Sequence, residues 1–118
     1  MPRHAGAPGP IVRLLEREKF VVTDTVLEHR FLRIVRRTGL PLPETQRRLE
    51  GGRVDFYWPT LDLIVEADSL RFHRTPFQQR NDALRDQTNF KAELRTLRFT
   101  HWQIWHEPEY VESILRAA

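Results

Sequence analysis

Between Val54 and Asp68 the chain reads VDFYWPTLDLIVEAD, and four of these residues are acids: Asp55, Asp62, Glu66 and Asp68. The β-branched and aromatic neighbours have strand composition, although a half-buried pleated surface penalises charge. Side chains alternate along a strand, so Val54, Phe56 and Trp58 share one face while Asp55 and Tyr57 share the other. In the next run Leu61, Leu63, Val65 and Ala67 face one way, and Asp62, Ile64, Glu66 and Asp68 the other. A two-residue turn at Pro59–Thr60 sets Tyr57 opposite Asp62 and Asp55 opposite Ile64. Asp55 and Glu66 then become diagonal neighbours on one face, roughly 7–8 Å apart at the backbone. Two anions held that close repel, more so in low-dielectric surroundings, and a divalent cation removes the repulsion. A one-residue slip of register would put them on opposite faces. The pattern also suits exposed acids of an edge strand paired with arginines, and Asp62, beside the turn, reads as a solvated loop acid.

A third acid comes from the preceding helix. Glu28 lies four residues before Leu32 and seven before Val35, along an otherwise apolar side. It also completes a capping box, Thr25-Val-Leu-Glu28, in which it only closes the first turn. Past the acids, His73 sits in a strand-to-helix loop, where an imidazole can relay protons. Arg71 and Arg74 flank it, and Arg80 lies on the following helix. Arginines hold phosphate bidentately and stay charged at every working pH; their other use here is pairing with Asp82 and Asp86. His101 and His106 are five apart, off a common helical face, and do not read as a metal site. Trp102 and Trp105 beside them read as core.

The chain has no cysteine, which excludes a disulfide, a thiolate zinc site and a cysteine nucleophile. A metal here must sit on carboxylates and imidazoles, and such hard donors favour magnesium, manganese or calcium. The net charge of +3 and the preponderance of arginine among the 19 basic residues permit nucleic-acid binding without demonstrating it. No apolar run approaches the ~20 residues of a membrane span. The opening MPRHAGAPGP lacks the apolar core of a signal peptide, so the expected location is cytoplasmic.

The elements that must position these residues follow from the same pattern. Residues 1–10, rich in proline and glycine, read as a mobile leader, and 11–118 as one domain. PIVRLLEREKF has helical spacing, and FVVT is a short strand candidate. TDTVLEHRFLRIVRRTG is the clearest helix, with apolar residues at 27, 31, 34 and 35 and a stop at Gly39. ETQRRLE, RVDFYW and LDLIVEAD form a three-strand meander around turns at Gly51–Gly52 and Pro59–Thr60. Thr75 and Pro76 open a helix running to about Ala92. RTLRFT alternates as a buried strand, and Pro108 starts a terminal helix with Val111, Ile114 and Leu115 inward. The expected class is α/β: a mixed sheet, an antiparallel meander plus a later strand, flanked by helices.

From about Asp24 to Leu115 the chain resembles a bacterial domain-of-unknown-function family related to the very-short-patch-repair endonucleases, within the restriction-endonuclease-like PD-(D/E)XK superfamily. The resemblance is carried by LEHRFLRIVRRTGLPLPE, RVDFYWP, LIVEADSLRFH, RNDALRD and LRFTHWQI followed by EP, in that order and spacing. It implies a restriction-endonuclease-like core with a Mg²⁺ or Mn²⁺ site that hydrolyses a phosphodiester of DNA, most simply duplex DNA. By position, Glu28 matches the helix-borne acid, Asp55 the central metal-binding aspartate and Glu66 the acid of the E-x-K element. Asp68 stands where many superfamily nucleases carry lysine, which leaves His73 or a metal-bound hydroxide to serve. Ser69 replaces the family's usual glycine. The alternative is a catalytically weak or inactive member, a nucleic-acid-binding or interaction domain of a toxin–antitoxin or defence system.

Overall fold

The structure, a computed structural model, describes residues 24–68 and 75–118. The expected leader, the expected helix at PIVRLLEREKF, the strand candidate at FVVT and the segment with Ser69, Arg71, His73 and Arg74 lie outside the described residues.

Helix α1 spans Asp24–Thr38, and its Leu27, Phe31, Ile34 and Val35 are buried, one stripe at helical period. Asp24 at its start and Arg36 and Arg37 at its end complement the helix dipole. Gly39 follows at φ +83°, the left-handed conformation that ends a helix at no Cβ cost. Thr25 falls inside this helix, so it does not cap it, and the Thr25–Glu28 capping box is not formed.

Strands β1 (Glu44–Leu49) and β2 (Gly52–Trp58) form an antiparallel hairpin. β2 continues into a 3₁₀ turn at Pro59–Leu61, and β3 (Leu63–Asp68) returns antiparallel to it. Helix α2 (Pro76–Lys91) then crosses over to β4 (Arg95–Thr100), parallel to β3. The chain closes with α3 (His101–His106) and α4 (Pro108–Arg116). The sheet order is β1-β2-β3-β4: an α/β domain whose four-stranded mixed sheet, flanked by helices, is compatible with a restriction-endonuclease-like core.

The connection between β2 and β3 corrects the expected register. The 3₁₀ turn and Asp62, left-handed at φ 50°, make a four-residue link in place of the two-residue turn. Tyr57 pairs with Ile64 and Phe56 with Val65, two positions from the expected register. A shift of two preserves the facing of every side chain. Asp55 and Glu66 therefore remain on one face, and the ladder brings them directly opposite one another.

α1, α3 and α4 cover the face that carries Phe56, Trp58, Leu63, Val65 and Phe99. Phe31 is at the centre, its ring 4.3 Å from Phe56, 6.4 Å from Trp58 and 6.3 Å from Phe99. α4 adds Val111 and Leu115, both fully buried. α3 was not expected. Its signal is the capping box of Thr100 and Gln103, both halves of which form. Ile104 is its buried residue, and the two tryptophans are only half-buried, contrary to their reading as core. Trp102 stacks on His106 at 4.0 Å, and Trp105 lies under the Arg30 guanidinium at 4.4 Å.

α2 belongs to the other face and meets it differently. Asn89 is its one buried residue, while Phe77 and Phe90 are exposed. Its links to the sheet are polar, from Arg85 and Asp86.

Candidate functional site

The acid-bearing face of the sheet is built by alternation. β2 buries Val54, Phe56 and Trp58 beneath the helices, which turns Asp55 and Tyr57 outward to the α2 side. β3 buries Leu63 and Val65 and turns Ile64, Glu66 and Asp68 to that side. β4 places Arg98 beside Glu66 in the parallel ladder.

The β2–β3 ladder runs only to Phe56 and Val65. One step beyond, the side chain of Asp55 takes over: Asp55 Oδ2 accepts the Ala67 N–H at 2.8 Å. That bond pins one carboxylate oxygen of Asp55. Glu66 is 6 % exposed, a buried acid in a central strand. Arg85 Nη2 donates to Glu66 Oε2 at 2.8 Å and to the Arg53 carbonyl at 2.7 Å. Burial, and next the negative charge of Asp55, push the Glu66 carboxyl up to about 7, against the pull of Arg85 and Arg98. Protonated Glu66 is within hydrogen-bonding reach of Asp55. The two acids form the convergent pair that the spacing predicts.

Asp68 is held separately. Arg98 Nη1 reaches Asp68 Oδ2 at 3.4 Å and its Nη2 donates to Asp86 Oδ1 at 2.7 Å. Burial disfavours the Arg98 cation, but the hydrogen bond to Asp86 and the charges of Asp68 and Asp86 outweigh it, and its affinity for its proton is raised. Arg98 is a site residue that sequence reasoning missed. Its signal was available: in RTLRFT it alternates against Leu97 and Phe99, which puts a cation on the face opposite the core. Arg85 was visible only as one more helix arginine, because no local pattern predicts that it reaches two strands.

Glu28 does not join the pair. α1 covers the Phe56 face of the sheet, whereas Asp55 and Glu66 point to the other, and Glu28 is half-buried on that helix. Among the described residues no group of three or more His, Asp or Glu is arranged to hold a metal ion. The expected three-acid convergence is thus a facing pair. Arg80 is exposed on α2, while Arg71, Arg74 and His73 lie outside the described residues. Near the pair, His101 Nε2 lies 3.2 Å from the carbonyl of Ala67, the residue whose N–H holds Asp55.

The raised Glu66 has a consequence for stability in the absence of divalent ions. In the unfolded chain Glu66 titrates near 4.5, and in the folded protein near 7. The folded state therefore binds that proton more tightly. The stability it contributes is fully present below pH 4.5 and is lost as pH rises through about 7. Glu66→Gln is expected to abolish this step and to be the more stable protein at pH 8, by about 1–2 kcal/mol after allowance for screening by the arginines and solvent at the rim. Urea unfolding in EDTA from pH 4 to 8 measures it; parallel profiles for the two proteins would remove the Glu66–Asp55 repulsion from the account.

No helix among the described residues is long and apolar enough to cross a membrane. No family model matches the chain, and no solved structure matches it. Two relatives do: uncharacterized proteins from two strains of Mycobacterium tuberculosis, each 40 % identical over 67 residues. The match covers 52 % of this chain and 23 % of each relative, so the chain is similar to about a quarter of those longer proteins.

Proposed function

We propose that this domain is a divalent-metal-dependent DNA endonuclease of the very-short-patch-repair-like class. The observation that carries the reading is the facing pair Asp55–Glu66, one carboxylate pinned by a backbone N–H and the other buried and pushed up to about 7. Buried like charges of this kind are costly unless something uses them. The donor set is two carboxylates, which suits Mg²⁺ or Mn²⁺, and Asp55 and Glu66 would hold the ion. When bound, such an ion polarises a phosphoryl oxygen and makes a water nucleophilic at neutral pH.

The chain's own residues do the rest. The Ala67 N–H fixes the Asp55 carboxylate, and the rigid strands hold both acids more tightly than a loop could. With Asp68 in the place of a lysine, the cations of the site are Arg85 and Arg98. Arg85 lies against Glu66, where a guanidinium can take a phosphate oxygen once Glu66 turns to another partner. The resemblance in the five sequence segments supports the same class and leaves His73 or a metal-bound hydroxide to do the work of the missing lysine.

The second reading is a nuclease-fold domain that binds nucleic acid or a partner without cutting. Arg85 favours it, since this cation already neutralises Glu66 as a metal would. Incubating supercoiled plasmid with the protein in Mg²⁺, Mn²⁺ or EDTA separates the two. Nicked or linear product that requires the metal and disappears with Asp55→Asn is expected; intact plasmid at saturating protein in both metals leaves the binding reading.

A further inference from the structure

The hairpin of β1 and β2 carries a feature that the acid pair does not explain. In its register Arg48 stands directly opposite Arg53. Directly opposed residues of an antiparallel pair share a face, with Cβ atoms about 4.5–5.5 Å apart, and like charges there destabilise the sheet. Both residues are exposed. Among the described residues neither has a carboxylate within ion-pair distance, although Arg47 beside them pairs with Glu44. An unrelieved Arg–Arg rung at a hairpin end is a place where an anion stabilises the protein.

Its position says which anion. Arg53 lies two residues before Asp55, on the same face, about 7 Å along the strand. Between them Arg85 reaches the Arg53 carbonyl at 2.7 Å and Glu66 at 2.8 Å. A row of cations, Arg48, Arg53 and Arg85, thus leads along one face of the sheet to the two acids. The step from Arg53 to Asp55 matches about two base-pair rises along the duplex axis, at about 3.4 Å each. β1, exposed along almost its whole length, leaves the approach open.

We infer that the Arg48–Arg53 rung is a phosphate clamp for the DNA backbone, contacting phosphates adjacent to the one that reaches Asp55 and Glu66. This rests on the endonuclease reading for the identity of the anion, and names where the duplex runs. The clamp is sequence-independent, because guanidinium contacts to phosphate carry no base information.

The test is binding of a labelled duplex in EDTA, so that nothing is cut, by fluorescence anisotropy across a salt series. Wild type is compared with Arg48→Gln/Arg53→Gln, with each single variant, and with Arg33→Gln/Arg36→Gln. That control removes the same charge from α1, on the other side of the sheet. Each phosphate contact contributes roughly 0.9 to the slope of log affinity against log salt. The hairpin pair is expected to lower the slope by about 1.8 and each single variant by about 0.9, alike for every duplex sequence. The control is expected to leave the slope unchanged. Thermal melting of the hairpin variants at or above wild type, as relief of repulsion requires, shows that the fold is intact. An unchanged slope in the hairpin variants overturns the clamp, and so does an equal fall in the control. Plasmid cleavage by wild type in Mg²⁺ is scored in parallel. Cleavage with an unchanged slope sinks the clamp alone. A lowered slope without cleavage keeps the clamp and sinks the endonuclease, and absence of duplex binding by wild type overturns both.

Discussion

Asp55→Asn is expected to abolish metal-dependent cleavage, by a factor of roughly 10²–10³ or more, while leaving the fold in place. The reasoning is local. A bound divalent ion supplies several kcal/mol of transition-state stabilisation, and each 1.4 kcal/mol is a factor of ten in rate. Asparagine keeps an Oδ1 that can accept the Ala67 N–H, which Asp55 Oδ2 holds at 2.8 Å, and it offers an N–H₂ to Glu66 in place of a second negative charge. It should therefore be no less stable than wild type. Asp55→Ala differs, because it strands the Ala67 N–H in a partly buried strand, a loss of about 1–3 kcal/mol that offsets the relieved repulsion. Single-turnover cleavage and urea unfolding on the same preparations measure the two effects. An Asp55→Asn protein that cuts at the wild-type rate removes Asp55 from the mechanism.

The largest effect on stability is expected at Phe31. Its side chain is fully buried and its ring touches Phe56 on β2 and approaches Trp58 and Phe99 on two different strands. Phe31→Ala should cost about 3–5 kcal/mol, the sum of lost burial and the cavity left under a stiff sheet. That is a large part of the 5–15 kcal/mol available to a domain. Denaturant unfolding should show a much lower midpoint, with the slope unchanged if the transition stays two-state. A loss below about 1 kcal/mol would mean that the helical layer can close over the gap, which the interlocked rings argue against.

Much of the architecture was legible where a periodicity had two independent witnesses. The α1 stripe and Gly39 agreed on one helix, and Thr75 with Pro76 announced α2 at its first residue. The alternation in VDFYW and LIVEAD placed Asp55 and Glu66 on a common face even with a register wrong by two residues. The register itself was not legible, because Pro59–Thr60 looks like a complete turn and nothing local reveals that Asp62 takes a left-handed conformation. Facing survived because the error was two residues. α3 was hidden by its brevity: six residues carry too little period to set against the aromatic composition of HWQIWH. The layer to which α1 belongs decided Glu28. A helical wheel gives the direction of a side chain about its own axis, but it cannot say on which side of the sheet the helix will lie. Arg85 needed tertiary structure for the same reason, as its partner Glu66 is 19 residues away; for Arg98 the alternation gave the face but not the partners, Asp68 being 30 residues away.

α2 is attached to the sheet by guanidinium–carboxylate bridges from Arg85 and Arg98, with Phe77 69 % and Phe90 81 % exposed on its outside. A helix without an apolar face against the body of the protein has little to lose by separating from it. Of these bridges Arg98–Asp86 is exposed, worth only about 0–1 kcal/mol and weakened as salt screens it, while Arg85 reaches the buried Glu66. Opening of α2 alone should therefore lie at the low end of the free-energy scale, well beneath global unfolding. In native-state hydrogen exchange its amides are expected to exchange ahead of those of α1, and earlier still at high ionic strength. The helix that covers the acids is then the part of the molecule that the ionic surroundings can loosen, while the sheet beneath keeps its shape.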